Sequence, residues 1–130
     1  MSKVRHISLI LLLICLTGCA PAVFLVGAGA GVGGYKYYKG ALTVVYQATY
    51  EKTWDASIKA LEEMGIKIED KKRELTTGKI SATLAVDKPV TIVLKYKSSS
   101  ETEANIRVGI LGDESASHVI KDKIAELLFK

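Results

Sequence analysis

The chain has 130 residues with two Cys, two Pro, one Trp, 25% charged residues and a formal net charge of +4, which fits one small domain with a short extension. An apolar share of 48% excludes wholesale disorder, and two cysteines are too few for a disulfide scaffold. No catalytic motif accompanies this composition, so the sequence points to a compartment and an architecture rather than to a reaction.

Residues 1–18 read as a targeting segment to be cleaved: Lys3 and Arg5 form a positive start, and Ile7 to Leu16 is apolar apart from Ser8 and Cys15. The stretch ends in Leu16-Thr17-Gly18-Cys19, which resembles the bacterial lipoprotein signal. That signal combines an aliphatic residue, two small residues that admit the peptidase, and a Cys whose thiol takes a diacylglyceryl thioether. The resemblance implies cleavage between Gly18 and Cys19 and lipidation of Cys19 with fatty acyl chains such as palmitate. A competing reading, a transmembrane anchor within Ile7 to Gly34, ranks second; a Cys15–Cys19 metal pair fails for want of further ligands.

Cleavage would remove two positive charges and no acids, leaving 16 Lys and Arg against 14 Asp and Glu, so the basic balance is mostly leader. Nucleic acid is therefore not an expected partner. Ala20 follows the Cys where Asp would retain a Gram-negative lipoprotein in the inner membrane, which implies outer-membrane delivery facing the periplasm in such a host.

Residues 19–41 are expected to form a membrane-proximal tether. Ala20 to Gly34 is an uncharged run with Gly27, Gly29, Gly31, Gly33 and Gly34, expected to stay mobile without a partner because glycine-rich backbone is costly to order. As a helix it would measure about 22 Å, short of the roughly 30 Å hydrocarbon core. Its small-xxx-small spacings would also suit membrane-helix pairing. Its G-x-G-x-x-G string (Gly29, Gly31, Gly34) lacks the flanking strands and acidic residue of a dinucleotide site. Tyr35, Lys36, Tyr37, Tyr38 and Lys39 join apolar bodies to polar or charged tips, and are expected at the membrane interface.

From Leu42 to Lys130 the patterning predicts a small α+β domain. Leu42, Val44, Tyr46 and Ala48 alternate with polar positions as a strand. Thr49 then caps a helix with Trp54, Ile58, Leu61 and Met64 on one side, ended by Gly65. Ile66 and Ile68 mark a short strand, and Asp70 to Gly78 a charged connection containing Lys71, Lys72 and Arg73, expected to be a solvated loop. Three further alternating runs, through Ile80 to Val86, Val90 to Tyr96 and Ala104 to Ile110, predict an antiparallel meander. Asp113 opens a last helix with Ala116, Ile120, Ile124 and Leu127 as its buried stripe. The predicted order is β-α-β-β-β-β-α, a two-layer sandwich with both helices on one face and a polar opposite face interrupted by Val45 and Val93.

Several features of the mature chain resemble a family of small bacterial lipoproteins catalogued only as a domain of unknown function. They are the lipoprotein signal, the VGAGAGVGGYKYYKG run at 26–40, Trp54 with the LEEMG segment, and the closing RVGILGDE at 107–114 with Ser117 and Ile120. The resemblance covers essentially the whole mature chain and brings no activity, cofactor or catalytic residue with it. A second likeness, of fold alone, is to the helix-grip modules of outer-membrane assembly lipoproteins.

The search for chemistry yields no catalytic residue, no metal set and no cofactor. His118 stands without partners, Ser115 and Ser117 fit first-turn capping, and Glu62-Glu63 and Glu69-Asp70 diverge as neighbours on an element do. Asp113-Glu114 fits a helix start. The expectation is a non-enzymatic, lipid-anchored module that binds an envelope protein; the alternative is a carrier for a small hydrophobic ligand or lipid between the layers.

Overall fold

A computed structural model describes residues 31–130. The leader, Gly18, Cys19 and the first part of the expected tether lie outside the described residues. Six antiparallel strands and two helices follow one another as β1 (Val32–Tyr38), β2 (Ala41–Tyr46), α1 (Tyr50–Glu63), β3 (Lys67–Arg73), β4 (Thr77–Leu84), β5 (Lys88–Ser98), β6 (Glu101–Val108) and α2 (Glu114–Leu128). The sheet order is β1-β2-β6-β5-β4-β3. β3 to β6 form the expected meander. α1 carries the chain from β2 across to the far edge, so β2 can close against β6.

The α+β architecture agrees with the sequence reading, and the order β-α-β-β-β-β-α holds from β2 onward. One strand more precedes it. The tether expected to run to residue 41 instead enters the sheet at Val32, and β1 pairs with β2 from Val32↔Tyr46 to Tyr38↔Ala41, with a bulge between Val32 and Gly34. The cause is the two-residue turn Lys39-Gly40, whose φ values of 49° and 82° are both positive. Such a turn twists in the sense that antiparallel strands need, so it folds the Tyr-Lys segment back onto β2.

A second difference concerns the charged connection. Lys67–Arg73 is strand β3 throughout, with a bulge between Ile68 and Asp70. Edge strands tolerate and use charge, because unpaired backbone at an edge invites wrong pairing and ionic side chains discourage it. The run that looked like a loop is thus a protected edge.

The core lies between the sheet and the helices. Leu42, Val44 and Tyr46 on β2, Val90, Ile92 and Leu94 on β5, and Ala104, Ile106 and Val108 on β6 are buried, as alternation predicted. α1 presents Trp54, Ala60 and Leu61 to them, and α2 presents Ile120 and Ile124. The buried stripe of α2 also takes in Ser117 and Lys121, while Ala116 and Leu127 are only half-buried. Ser117 does not cap free N–H groups; its hydroxyl donates to the Asp113 carbonyl at 2.8 Å, which satisfies it in the core.

Tyr46 ties the layers together, donating its hydroxyl to the Lys121 carbonyl at 2.9 Å. Burial pushes its pKa far above the ordinary tyrosine value, so it stays a neutral donor. At the other end of the sheet Trp54 and the Tyr50 hydroxyl lie directly on Gly78. A methyl group there would come within 2.6 Å of the indole, so only glycine admits α1 this close to β4. Arg73 covers the same pair of rings, its guanidinium carbon 5.5 Å from the Tyr50 centroid and 5.9 Å from that of Trp54.

Candidate functional site

One end of the sheet gathers the β1–β2 turn, the β4–β5 turn (Ala85–Asp87) and the β6–α2 loop (Gly109–Asp113). Sequence distance separates these three segments, and backbone geometry brings them together. Gly112 lies against the backbone of Gly40 so closely that neither position admits a side chain without displacement. Arg107 straps the contact, donating from Nη1 to the Lys39 carbonyl at 3.1 Å and from Nη2 to the Ile110 carbonyl at 2.8 Å. The Gly109 N–H donates to the Pro89 carbonyl at 2.7 Å and holds the loop to the start of β5.

Between the β4–β5 turn and the β6–α2 loop lies an open groove of about 1020 Å³, lined by Leu84 to Pro89 and Val108 to Ser115. Its polar element is the pair Lys88 Nζ to Asp113 Oδ2, 2.7 Å apart. Asp113 is also the α2 N-cap, accepting from the Ala116 N–H at 3.0 Å. The Ala116 N–H first, and the hydrogen bond from Lys88 second, hold its carboxyl below the usual carboxylate range. The carboxylate is thus engaged as cap and counter-ion rather than free as a base.

The rim of the groove is apolar and solvated. Val86, Ile110 and Leu111 are 97%, 79% and 91% exposed. Val86 also has φ +71°, a left-handed conformation that a β-branched residue adopts only at a cost of about 1–2 kcal/mol. Three large apolar side chains thus stand in water at one loop end, one on a strained backbone and two on a strapped loop.

The residues singled out in the sequence distribute differently. Strand alternation sorts the Tyr-Lys cluster: Tyr35 and Tyr37 register with Val44 and Leu42 on the helix-covered face, whereas Lys36 and Tyr38 register with Thr43 and Ala41 on the opposite face. Tyr35 meets His118 edge-on, centroids 5.2 Å apart, and Lys121 Nζ sits 4.0 Å above the Tyr35 ring. His118 is half-buried and 3.8 Å from Glu114. Glu63 pairs with Lys123 at 3.6 Å, and Asp70 lies 4.0 Å from Lys72, so neither acidic doublet forms a carboxyl pair. Asp113 lines the groove, and Arg107 straps the loop beside it. The sequence reading missed Val86 and Ile110, which alternation assigned to buried strand faces. The usable signals were the Asp87-Lys88-Pro89 breaker and the glycines flanking Ile110-Leu111, which end the strands before these residues turn inward.

Among the described residues no group of three or more His, Cys, Asp or Glu is placed to hold a metal ion. Likewise, among them no helix is long and apolar enough to cross a membrane.

Residues 4–127 match the family described as protein of unknown function DUF3568, and the chain belongs to that family. No curated protein matches the chain.

Proposed function

We propose that this DUF3568 member is a lipid-anchored, non-enzymatic binding module of the cell envelope. Cys19 carries the anchor, the outer membrane is the site, the domain faces the periplasm, and the partner is an envelope protein. The apolar rim of Val86, Ile110 and Leu111 carries the reading, because exposure of such residues on a pinned loop has no use in the fold and suits an apolar segment of another protein. The Lys88–Asp113 pair beside the rim supplies hydrogen-bonding groups for orientation. The lipoprotein signal and the Ala20 position support the compartment.

A carrier for a small hydrophobic ligand finds less support. The space it would need between the layers is occupied by Tyr46, Leu61, Ile92, Ile106, Ile120 and Ile124, all essentially inaccessible to solvent.

The test places a photo-crosslinking amino acid at Leu111, at Ile110 or at Lys59 on the outer surface of α1, in intact cells. A discrete adduct from the two loop positions, absent at Lys59 and lost when Val86→Asp is added, is the expected result. Adducts of equal yield at all three sites, or none at the loop, would sink the groove as the binding site. The anchor is checked separately by intact mass and membrane fractionation of Cys19→Ala, expected to accumulate as an unprocessed, unlipidated precursor.

A further inference from the structure

The face of the sheet turned away from the helices is covered by no described element, and its chemistry is unlike that of the rest of the molecule. Register places Lys36, Lys67, Lys72, Lys79, Lys95 and Arg107 on it, with Lys97 drawn to the same side by its 3.5 Å contact with Glu103. Asp70, Glu101 and Glu103 are the acids there, so seven cations face three carboxylates. Among the described residues Lys36, Lys67, Lys79 and Lys95 make no ion pair with protein. The helix layer has the opposite sign. On α1 Glu51, Asp55, Glu62 and Glu63 outnumber Lys52 and Lys59, and on α2 Glu114, Asp122 and Glu126 outnumber Lys121 and Lys123.

The relief of this face matters as much as its sign. Between the lysines the surface is floored by short side chains: Thr43, Ser81, Thr91 and Asn105, with Asn105 Nδ2 donating to Thr43 Oγ1 at 3.0 Å. One register row runs from Lys72 and Lys79 through Val93, Asn105 and Thr43 to Lys36, so that three residues lie between Lys79 and Lys36. That separation is about 19 Å across the strands. Long, flexible ammonium groups around a flat floor suit a flat, laterally fluid array of anions better than a shaped pocket. Tyr38, 66% exposed, stands on the same face at the corner of the β1–β2 turn, where an aromatic with a polar tip favours the headgroup zone.

The chain also supplies proximity. Gly31, where the described fold begins, is twelve residues after Cys19. Fully extended, that segment reaches at most about 40 Å.

From these observations we propose that the helix-free face of the sheet is a membrane-contact surface, which seats the domain on anionic phospholipid headgroups with the anionic helix layer turned away. Proximity to the bilayer rests on the lipid-anchored reading above, whereas the charge of the face does not. Seated this way, the domain holds the loop-end groove beside the membrane plane, open to a partner approaching along it.

The test uses the full chain in a Cys15→Ala background, purified in detergent and reconstituted into vesicles of phosphatidylcholine, alone or mixed with phosphatidylglycerol. Intact mass first reports whether Cys19 is acylated. A fluorophore is attached through Thr91→Cys on the bare face or through Lys59→Cys on α1, and quencher-bearing headgroup lipids read proximity. In phosphatidylglycerol vesicles the fluorophore at residue 91 is expected to be quenched at least about threefold more than that at residue 59, because each lysine near an anionic surface adds to the attraction. The difference is expected to vanish in phosphatidylcholine, and in concentrated salt, where the screening length shrinks to a few ångströms. Lys79→Glu with Lys95→Glu is expected to abolish it while leaving thermal melting unchanged. Equal quenching at both positions in phosphatidylglycerol would overturn the proposal. So would shielding of residue 91 that ignores lipid charge and grows with protein density, which would assign the face to a second copy. A chain without acyl groups that still floats with phosphatidylglycerol vesicles through residue 91 would remove the anchor and leave the contact surface standing.

Discussion

The two faces of one sheet follow different rules. On the helix-covered face the strands carry Leu42, Val44, Ile80, Ile92, Leu94 and Ile106, which interdigitate with Leu61, Ile120 and Ile124 and are closed to water. On the opposite face the same strands alternate Thr43, Val45, Ser81, Thr91, Val93 and Asn105 with a surround of lysines. Packing selects shape and volume on the first face, where a missing methylene leaves a void. The second is only half-buried and offers solvation and charge, so substitutions there leave the fold standing and alter what the surface can touch. Packing is thereby concentrated on one face of each strand and charge on the other.

The sharpest way to break this contrast is in the core. Ile92→Ala removes a side chain at the centre of the covered face and is expected to cost about 3–4 kcal/mol, read as a fall in the urea midpoint with unchanged slope. A result below about 1 kcal/mol would mean that the layers are not packed as described. Gly78→Val drives two methyl groups into Trp54 and the Tyr50 hydroxyl and is expected to cost about 2–3 kcal/mol by forcing α1 off the sheet. Gly65→Ala, at a helix end where nothing lies within 4 Å but φ is +71°, isolates the cost of left-handed backbone alone, about 1 kcal/mol. Tyr46→Phe keeps the ring and loses the hydroxyl that donates to the Lys121 carbonyl, an expected loss of about 1 kcal/mol.

A smaller effect lies at the end of the sheet, where the two faces meet the groove. Asp113 has a folded pKa depressed by the Ala116 N–H and by Lys88, so its contribution is fully present above the unfolded value of about 3.9 and is lost as pH falls through the folded value. Asp113→Asn is expected to flatten the acid limb of the stability profile below that pH while keeping a weaker cap. An unchanged acid limb would show that the carboxylate is not held by those donors. Smallest of all, Val93→Thr on the bare face is expected to change stability by less than about 0.5 kcal/mol, which sharpens the contrast with its strand neighbour Ile92.

Most of the fold was legible because β2, β4, β5 and β6 each expose one face to water and one to the core, which writes a period of two into the sequence. Thr49 and Asp113 were legible as caps because orphan N–H groups at a helix start demand an acceptor. β1 was not, since two of its seven residues are glycine and its tyrosines read equally well as an interfacial belt. β3 was legible only at its start, around Ile68; its charged remainder from Asp70 to Arg73 was not, since an edge strand needs charge where a central strand needs apolar side chains. At the groove, Lys88 and Asp113 are twenty-five positions apart and nothing local announces their pairing.

By itself the sequence determined the α+β layering, the helix boundaries and the identity of the covered face, all consequences of local periodicity and capping chemistry. It also contained the lipoprotein-like signal ending at Cys19. Only the tertiary structure decided that the Tyr-Lys segment is a strand whose side chains part to opposite faces, that Val86, Ile110 and Leu111 share one exposed rim, and that seven cations from five strands share one surface. Each of these depends on which strands are neighbours and in what register. That is settled by long-range pairing and by close approaches such as Gly40 on Gly112 and Trp54 on Gly78, which no local pattern encodes.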